Sequence, residues 1–230
     1  MGTTERLINF ALRYPLDVVA HFFLLLPVVV GFYRQKYLTP VLKGISLFFL
    51  VRFIEESILL YVSLLKPTNQ NEQKIFMLID ILLICFIYSL VFKDKPIYKK
   101  ITYYSAIIIE AVLLYLIVFH AKNGLSGPVM RFYIIIITLI YYNFMLAENR
   151  VKNILYHSMF WINAGFLIYA MGTFMTSLFI DYLIDSTKES NNTFDLFWNM
   201  SQVVICIQCI LMAIGMYFAK KERTNQLSRI

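Results

Sequence analysis

Apolar residues run along this chain in blocks of about 20, the length of helix that crosses the hydrocarbon core of a bilayer, and short polar stretches separate the blocks. Seven blocks stand at about 17–34, 42–65, 75–92, 101–121, 129–147, 154–180 and 195–219. A soluble chain of 230 residues would distribute its apolar positions to line a patterned core. Continuous blocks instead predict an all-α, polytopic bundle of seven transmembrane helices, a single membrane domain over residues 1–230. The breaks KPTNQNEQ (66–73), KDKP (93–96) and KNGLSGP (122–128) hold the Pro, Gly and Asn that end helices and cannot face lipid.

Composition agrees with the pattern: 60% of residues are hydrophobic, 15% are charged and the mean hydropathy is +0.68, far from a soluble domain. The first fifteen residues lack an apolar segment with a small-residue cleavage site, so no cleaved signal peptide is expected. Cys85, Cys206 and Cys209 lie inside apolar blocks, so no extracellular disulfide framework is expected. The CxxC spacing of the last two reads as packing.

The net charge of +7 reads as topology. Thirteen Lys and Arg flank one side of the blocks and seven the other, which with Arg52 inside block two accounts for all 21. The positive-inside rule then puts the N-terminus outside and the C-terminus in the cytoplasm, with the bacterial inner membrane as the expected location and the lipid bilayer as the constant partner. Cations spread over several short loops and a tail do not form a nucleic-acid face. The segment 181–195 holds Asp181, Asp185, Glu189 and Asp195 against Lys188 and is the expected external lid. No soluble domain is expected on either side of the blocks, with eleven residues after Ala219.

The costly residues are the polar ones at membrane depth. Arg52, Glu55 and Glu56 lie well inside block two, Asp80 is placed in the outer part of block three, and Glu110 near the middle of block four. A central charge costs about 2.5–3.5 kcal/mol on insertion scales, so lipid exposure of all five would cost about 12–17 kcal/mol. They are expected to face protein or water. Arg52 reaches Glu55 at i,i+3 and Glu56 at i,i+4, but adjacent acids point about 100° apart, so one glutamate is expected to look elsewhere. Four carboxyls against one arginine call for protons or an external cation. His21 is expected in the same outer half. Asn163 at mid-depth and Gln202 complete the candidate ligand, ion or coupling residues. Tyr61, Tyr115, Tyr169 and Trp198 lie near the outer surface, either lining a vestibule or forming an interfacial belt. A buried network that only fixes helix register explains the same acids.

A faint internal repeat runs from Lys43 to Glu56 and Tyr61, from Lys100 to Glu110 and Tyr115, and from Lys152 to Asn163 and Tyr169. Hairpin duplication explains it, and so does the abundance of Ile, Leu and Tyr. His21, His120 and His157 fall at different depths and do not suggest a metal site. No nucleophile motif or phosphate-binding loop is present, so neither catalysis nor a cofactor is expected. The last block, 195–219, holds no lysine for a retinal Schiff base.

The stretches FWINAGFLIYAMGTF (160–174) and ILMAIGMYFAKK (210–221) resemble helices six and seven of poorly characterised seven-helix proteins and histidine-kinase sensor modules of Bacteroidetes-type bacteria. The resemblance covers about a quarter of the chain. It implies a stand-alone seven-helix sensor unit working with a histidine-kinase-like or other partner. The expected function is a receptor-like sensor that takes an outer-leaflet or periplasmic ligand, or protons, at its buried acids. Glu110, with Asp80 and one helix-two acid, is expected to set the relation between helices six and seven and the tail. The alternatives are a small proton- or cation-coupled transporter and a structural subunit of a membrane complex. Carrier sites commonly need helices broken at mid-membrane, and Pro27 is the sole proline inside a block.

Overall fold

The computed structural model describes residues 3–66, 69–119, 124–147, 154–179 and 191–227. Among the described residues every regular element is helical and no strand occurs. The order is α1 (Thr3–Arg13), α2 (Pro15–Phe23), α3 (Leu25–Tyr33), α4 (Pro40–Leu65), α5 (Gln70–Val91), α6 (Pro96–Phe119), α7 (Ser126–Ala147), α8 (Ser158–Leu178) and α9 (Asn191–Leu227). Prolines open α2, α4 and α6 at the first helical position, where the missing N–H costs nothing. Thr39 caps α4 by accepting from the Leu42 N–H at 3.4 Å.

Six helices are long and apolar enough to cross a membrane among the described residues: Pro15–Tyr33, which joins α2 to α3, and spans on each of α5 to α9. The chain is therefore a polytopic helical bundle. The second predicted span coincides with α4, whose 26 residues reach about 39 Å at 1.5 Å per residue. It differs from the six in composition, because Lys43, Arg52, Glu55 and Glu56 interrupt its apolar run.

Three local departures have clear causes. The first predicted helix breaks at Leu24, four residues after Ala20 and three before Pro27, whose ring cannot continue the hydrogen-bond ladder. The Leu24 N–H is shared between the carbonyls of Ala20 and His21, both at 3.3 Å. Ser126, Gly127 and Pro128, expected as a break, form the first turn of α7, where a proline is tolerated. The segment before the first block, to which the apolar pattern assigned no element, is the separate helix α1. Its Arg6 Nη1 donates to the Leu64 carbonyl at 2.8 Å, filling one of the open carbonyls at the C-terminus of α4.

The helices run so that the basic loops and the C-terminal part of α9 share one end, here the basic end. Arg34 lies 4.6 Å from the Tyr217 ring, Lys220 covers Tyr37 and Lys221 covers Tyr156 at 3.4 Å. At the far end Trp198 of α9 donates to Asp17 of α2 at 2.7 Å, and Ser201 to Thr176 of α8 at 3.1 Å. The core fills the space between α4, α5, α7, α8 and α9, with Ile45, Ile81, Ile137, Ile162 and Met212 fully enclosed. α6 stands at the margin: 17% of its apolar span is buried, against 50% for α8.

α8 and α9 approach most closely, and two glycines allow it. A Cβ on Gly172 would fall 2.9 Å from both methyls of Val204. One on Gly215 would fall 2.8 Å from the Ser158 carbonyl oxygen and from Ile162 Cγ1. Small residues at such seams bring membrane helices to backbone contact.

Candidate functional site

Arg52 and Asp80 both sit at the middle of their helices. Asp80 is ten residues from the start of α5 and eleven from its end, about 15 Å from either. The predicted outer position of Asp80 is thus corrected to mid-helix, because α5 begins at Gln70 rather than 75.

The Arg52 guanidinium gathers three acids. Nη1 donates to Asp80 Oδ2 at 2.8 Å and Nη2 to Glu56 Oε1 at 2.8 Å, while Glu55 Oε2 stands 3.7 Å from Nη1. As adjacent acids on a helix require, only one glutamate, Glu56, takes a hydrogen bond from Arg52, while Glu55 stays within ion-pair distance without one. Exposure separates the acids: the Asp80 side chain is fully enclosed, Glu55 is 3% exposed and Glu56 36%. Both Glu55 oxygens and Asp80 Oδ1 are buried without a hydrogen-bond partner.

Beside this cluster lies a cavity of about 10 Å³, around the least that holds one water. Leu24 lines it from the break in the first span, Arg52 from α4, Asp80 from α5, Ile134 from α7, Tyr169 from α8 and Gln208 from α9. Its wall therefore draws on every apolar span except α6.

A second arginine, missed as a site residue, supports the cluster. Arg131 of α7 donates from Nε to Thr173 Oγ1 at 2.9 Å, lies 5.7 Å from the Tyr169 ring and is within electrostatic reach of Asp80. The sequence count of one intramembrane arginine left it out because position 131 falls near a predicted helix end.

The other predicted residues distribute as follows. His21 Nε2 lies 3.2 Å from Ser57 Oγ, and its ring packs 4.6 Å from Phe53, so it ties α2 to α4 without touching Asp80. Glu110 is not brought to the Arg52 cluster. It projects from α6 near Cys85 and Tyr133, and its Oε1 is buried without a hydrogen-bond partner. Asn163 lies five residues above the start of α8, toward the basic end rather than at mid-depth. It accepts from the Tyr88 hydroxyl and donates to the Met159 carbonyl at 2.8 Å. Gln202 is buried on α9, but Gln208, about one and two-thirds turns further on, meets the cavity.

Tyr61 and Tyr115 are exposed, as an interfacial belt requires, whereas Tyr169 belongs to the cavity wall. His120 and most of the acidic segment 181–195 lie outside the described residues. Three acids gathered around a part-buried arginine at mid-helix form a cluster whose balance depends on net charge. Comparison of the chain with protein-family models, with curated proteins and with solved structures finds no match.

Proposed function

We propose that the chain is a seven-helix, receptor-like sensor in which α4 is the seventh membrane crossing. In this proposal the basic end faces the cytoplasm, in a bacterial inner membrane. The observation that carries it is the small cavity beside Arg52 and Asp80, where residues of α4, α5, α7, α8, α9 and the first span meet. A proton or other change of charge there acts on most of the bundle at once, which is what a receptor core needs. The close seam at Gly172 and Gly215 makes α8 and α9 one unit. The movement passed on is therefore that of the α8–α9 pair against α4 and α5, not of helix six against helix seven. Its recipient is a histidine-kinase-like or other partner touching the basic end.

Asp80, rather than Glu110, is the acid on which this response depends. The test compares a chromosomal deletion with Asp80→Asn and Glu56→Gln in the source bacterium. The expected result is that Asp80→Asn, at parental protein level, loses the same transcriptional response as the deletion, while Glu56→Gln keeps most of it.

One feature favours transport as a second reading: the first span is broken beside the buried charges, with Leu24 at the break lining the cavity. Proteoliposomes that carry a solute or cation flux abolished by Asp80→Asn would replace the receptor with a carrier.

A further inference from the structure

A pocket of about 400 Å³ lies at the basic end, well away from Arg52, between the N-termini of α4 and α8, the C-terminal parts of α5 and α7, and Glu222 of α9. Its size falls within the range of small-molecule sites. Most of the wall is apolar or aromatic, with Val41, Leu90, Tyr141 and Phe144 representative; its polar lining includes Lys93, His157, Ser158 and Glu222, the last three in mutual contact.

Those four groups have unequal partners. Glu222 Oε2 accepts from the Ser158 backbone N–H at 3.1 Å, so its carboxylate occupies the anion-binding position at the N-terminus of α8. His157 Nδ1 accepts from the Met159 N–H at 3.2 Å, so its 3.7 Å approach to Glu222 Oε1 is not a donated hydrogen bond. The Ser158 hydroxyl is buried, with the residue 1% exposed, and its Oγ has no hydrogen-bond partner. Lys93 forms no ion pair with any described residue. The pocket thus holds an exposed lysine without an ion pair among the described residues, an unsatisfied buried hydroxyl and a helix N-terminus taken by a carboxylate from the chain's own tail-bearing helix.

We infer that this pocket binds a single-chain amphiphile with an anionic head, a carboxylate or a phosphate. Its head takes the α8 N-terminus, Ser158 Oγ and Lys93 in place of Glu222, and its chain lies along the apolar wall. Glu222 is then a built-in competitor. Its displacement frees the basic end of α9 from α8, and this site stands independently of the Arg52 cluster.

The test is a binding titration on the full chain in phosphatidylcholine nanodiscs, in a Trp198→Phe background that leaves Trp161 as the only tryptophan. Trp161 stacks on Phe218 of α9 at 6.3 Å and donates to the Leu155 carbonyl at 2.8 Å, so its fluorescence reports this end of the α8–α9 pair. Decanoate is expected to give a saturable change, with decanol and inorganic phosphate each at least about tenfold weaker. Lys93→Ala should weaken decanoate by about tenfold and Ser158→Ala by a few-fold, while Glu222→Gln should tighten it by about tenfold. Ser158→Ala leaves the Glu222 contact to the backbone intact, so it remains informative if Glu222→Gln lowers the melting temperature. Decanol binding as tightly as decanoate, phosphate binding as tightly as decanoate, or weaker binding by a folded Glu222→Gln protein would each overturn the inference. Competition by a lysophosphatidic acid identifies a leaflet lipid as the source, and its failure to compete identifies a free fatty carboxylate; both outcomes support the pocket.

Discussion

Removing Arg52 tests whether the cluster is a true buried ion network. Arg52→Ala deletes two charge-assisted hydrogen bonds of 2.8 Å, each contributing about 1.5–3 kcal/mol. It also leaves Asp80 fully enclosed at mid-helix with no cation in contact. Breaking a buried pair from one side costs about 3–5 kcal/mol, the figure expected here. Glu56→Gln should cost about 1 kcal/mol or less, because that side chain is 36% exposed and water replaces much of the lost contact. Asp80→Asn should fall between them, since Arg52 keeps Glu56 and Glu55. The double change Arg52→Met with Asp80→Leu should recover most of the loss, as apolar replacement of a whole buried pair commonly does. The assay is equilibrium unfolding of the purified protein in mixed micelles, followed by tryptophan fluorescence. A Glu56→Gln protein as destabilised as Arg52→Ala, or an Arg52→Ala protein that unfolds like the parent, would show that Arg52 reaches water and Asp80 does not depend on it.

Other outcomes follow from single contacts. Gly215→Ala should cost about 1–3 kcal/mol by overpacking, because the added methyl meets the Ser158 backbone oxygen, which cannot rotate away. Gly44→Ala, whose methyl would stand 3.4 Å from Ile87 Cγ1, should be neutral or stabilising in the same unfolding assay. Tyr88→Phe should cost about 1–3 kcal/mol by stranding the Asn163 carbonyl oxygen, and Tyr88→Phe with Asn163→Leu should cost less than the two changes summed. A reporter active only in the cytoplasm should give signal after Ile230, and one active only outside should succeed at Asn191; the reverse pattern at either position would overturn the seven-crossing topology.

The apolar blocks made the helices legible, because a run of about 20 apolar residues has few other uses. α4 was legible as a helix, and its four charges are what set it apart from the six apolar spans. The Arg52 cluster was half legible. Depth and i,i+4 spacing found Glu56, and the cost of a mid-membrane acid found Asp80, but pairing across two helices depends on which faces meet. No intrahelical spacing carries that information, so Glu110 was grouped with Asp80 when α6 in fact stands at the margin. α1 escaped notice because eleven residues with Glu5, Arg6 and Arg13 form no apolar block. The basic-end pocket escaped for the same reason as the cross-helix pairs: Lys93, Ser158 and Glu222 are remote in sequence and meet only through the ends of α5, α8 and α9.

α9 is one unbroken helix of 37 residues, about 55 Å long against a hydrocarbon core of about 30 Å. From Gln208, beside the central cavity, to Leu227 it runs nineteen residues, or about 28 Å. Packed closely against α8 along the glycine seam, it would act in the proposed sensor as a stiff beam with its fulcrum near Arg52. A tilt of about 4° there carries the tip sideways by about 2 Å, the size of helix shift that switches packed interfaces between alternative arrangements. In the proposed sensor, a small adjustment at the charges around Arg52 would thus be magnified into a larger step at the basic end.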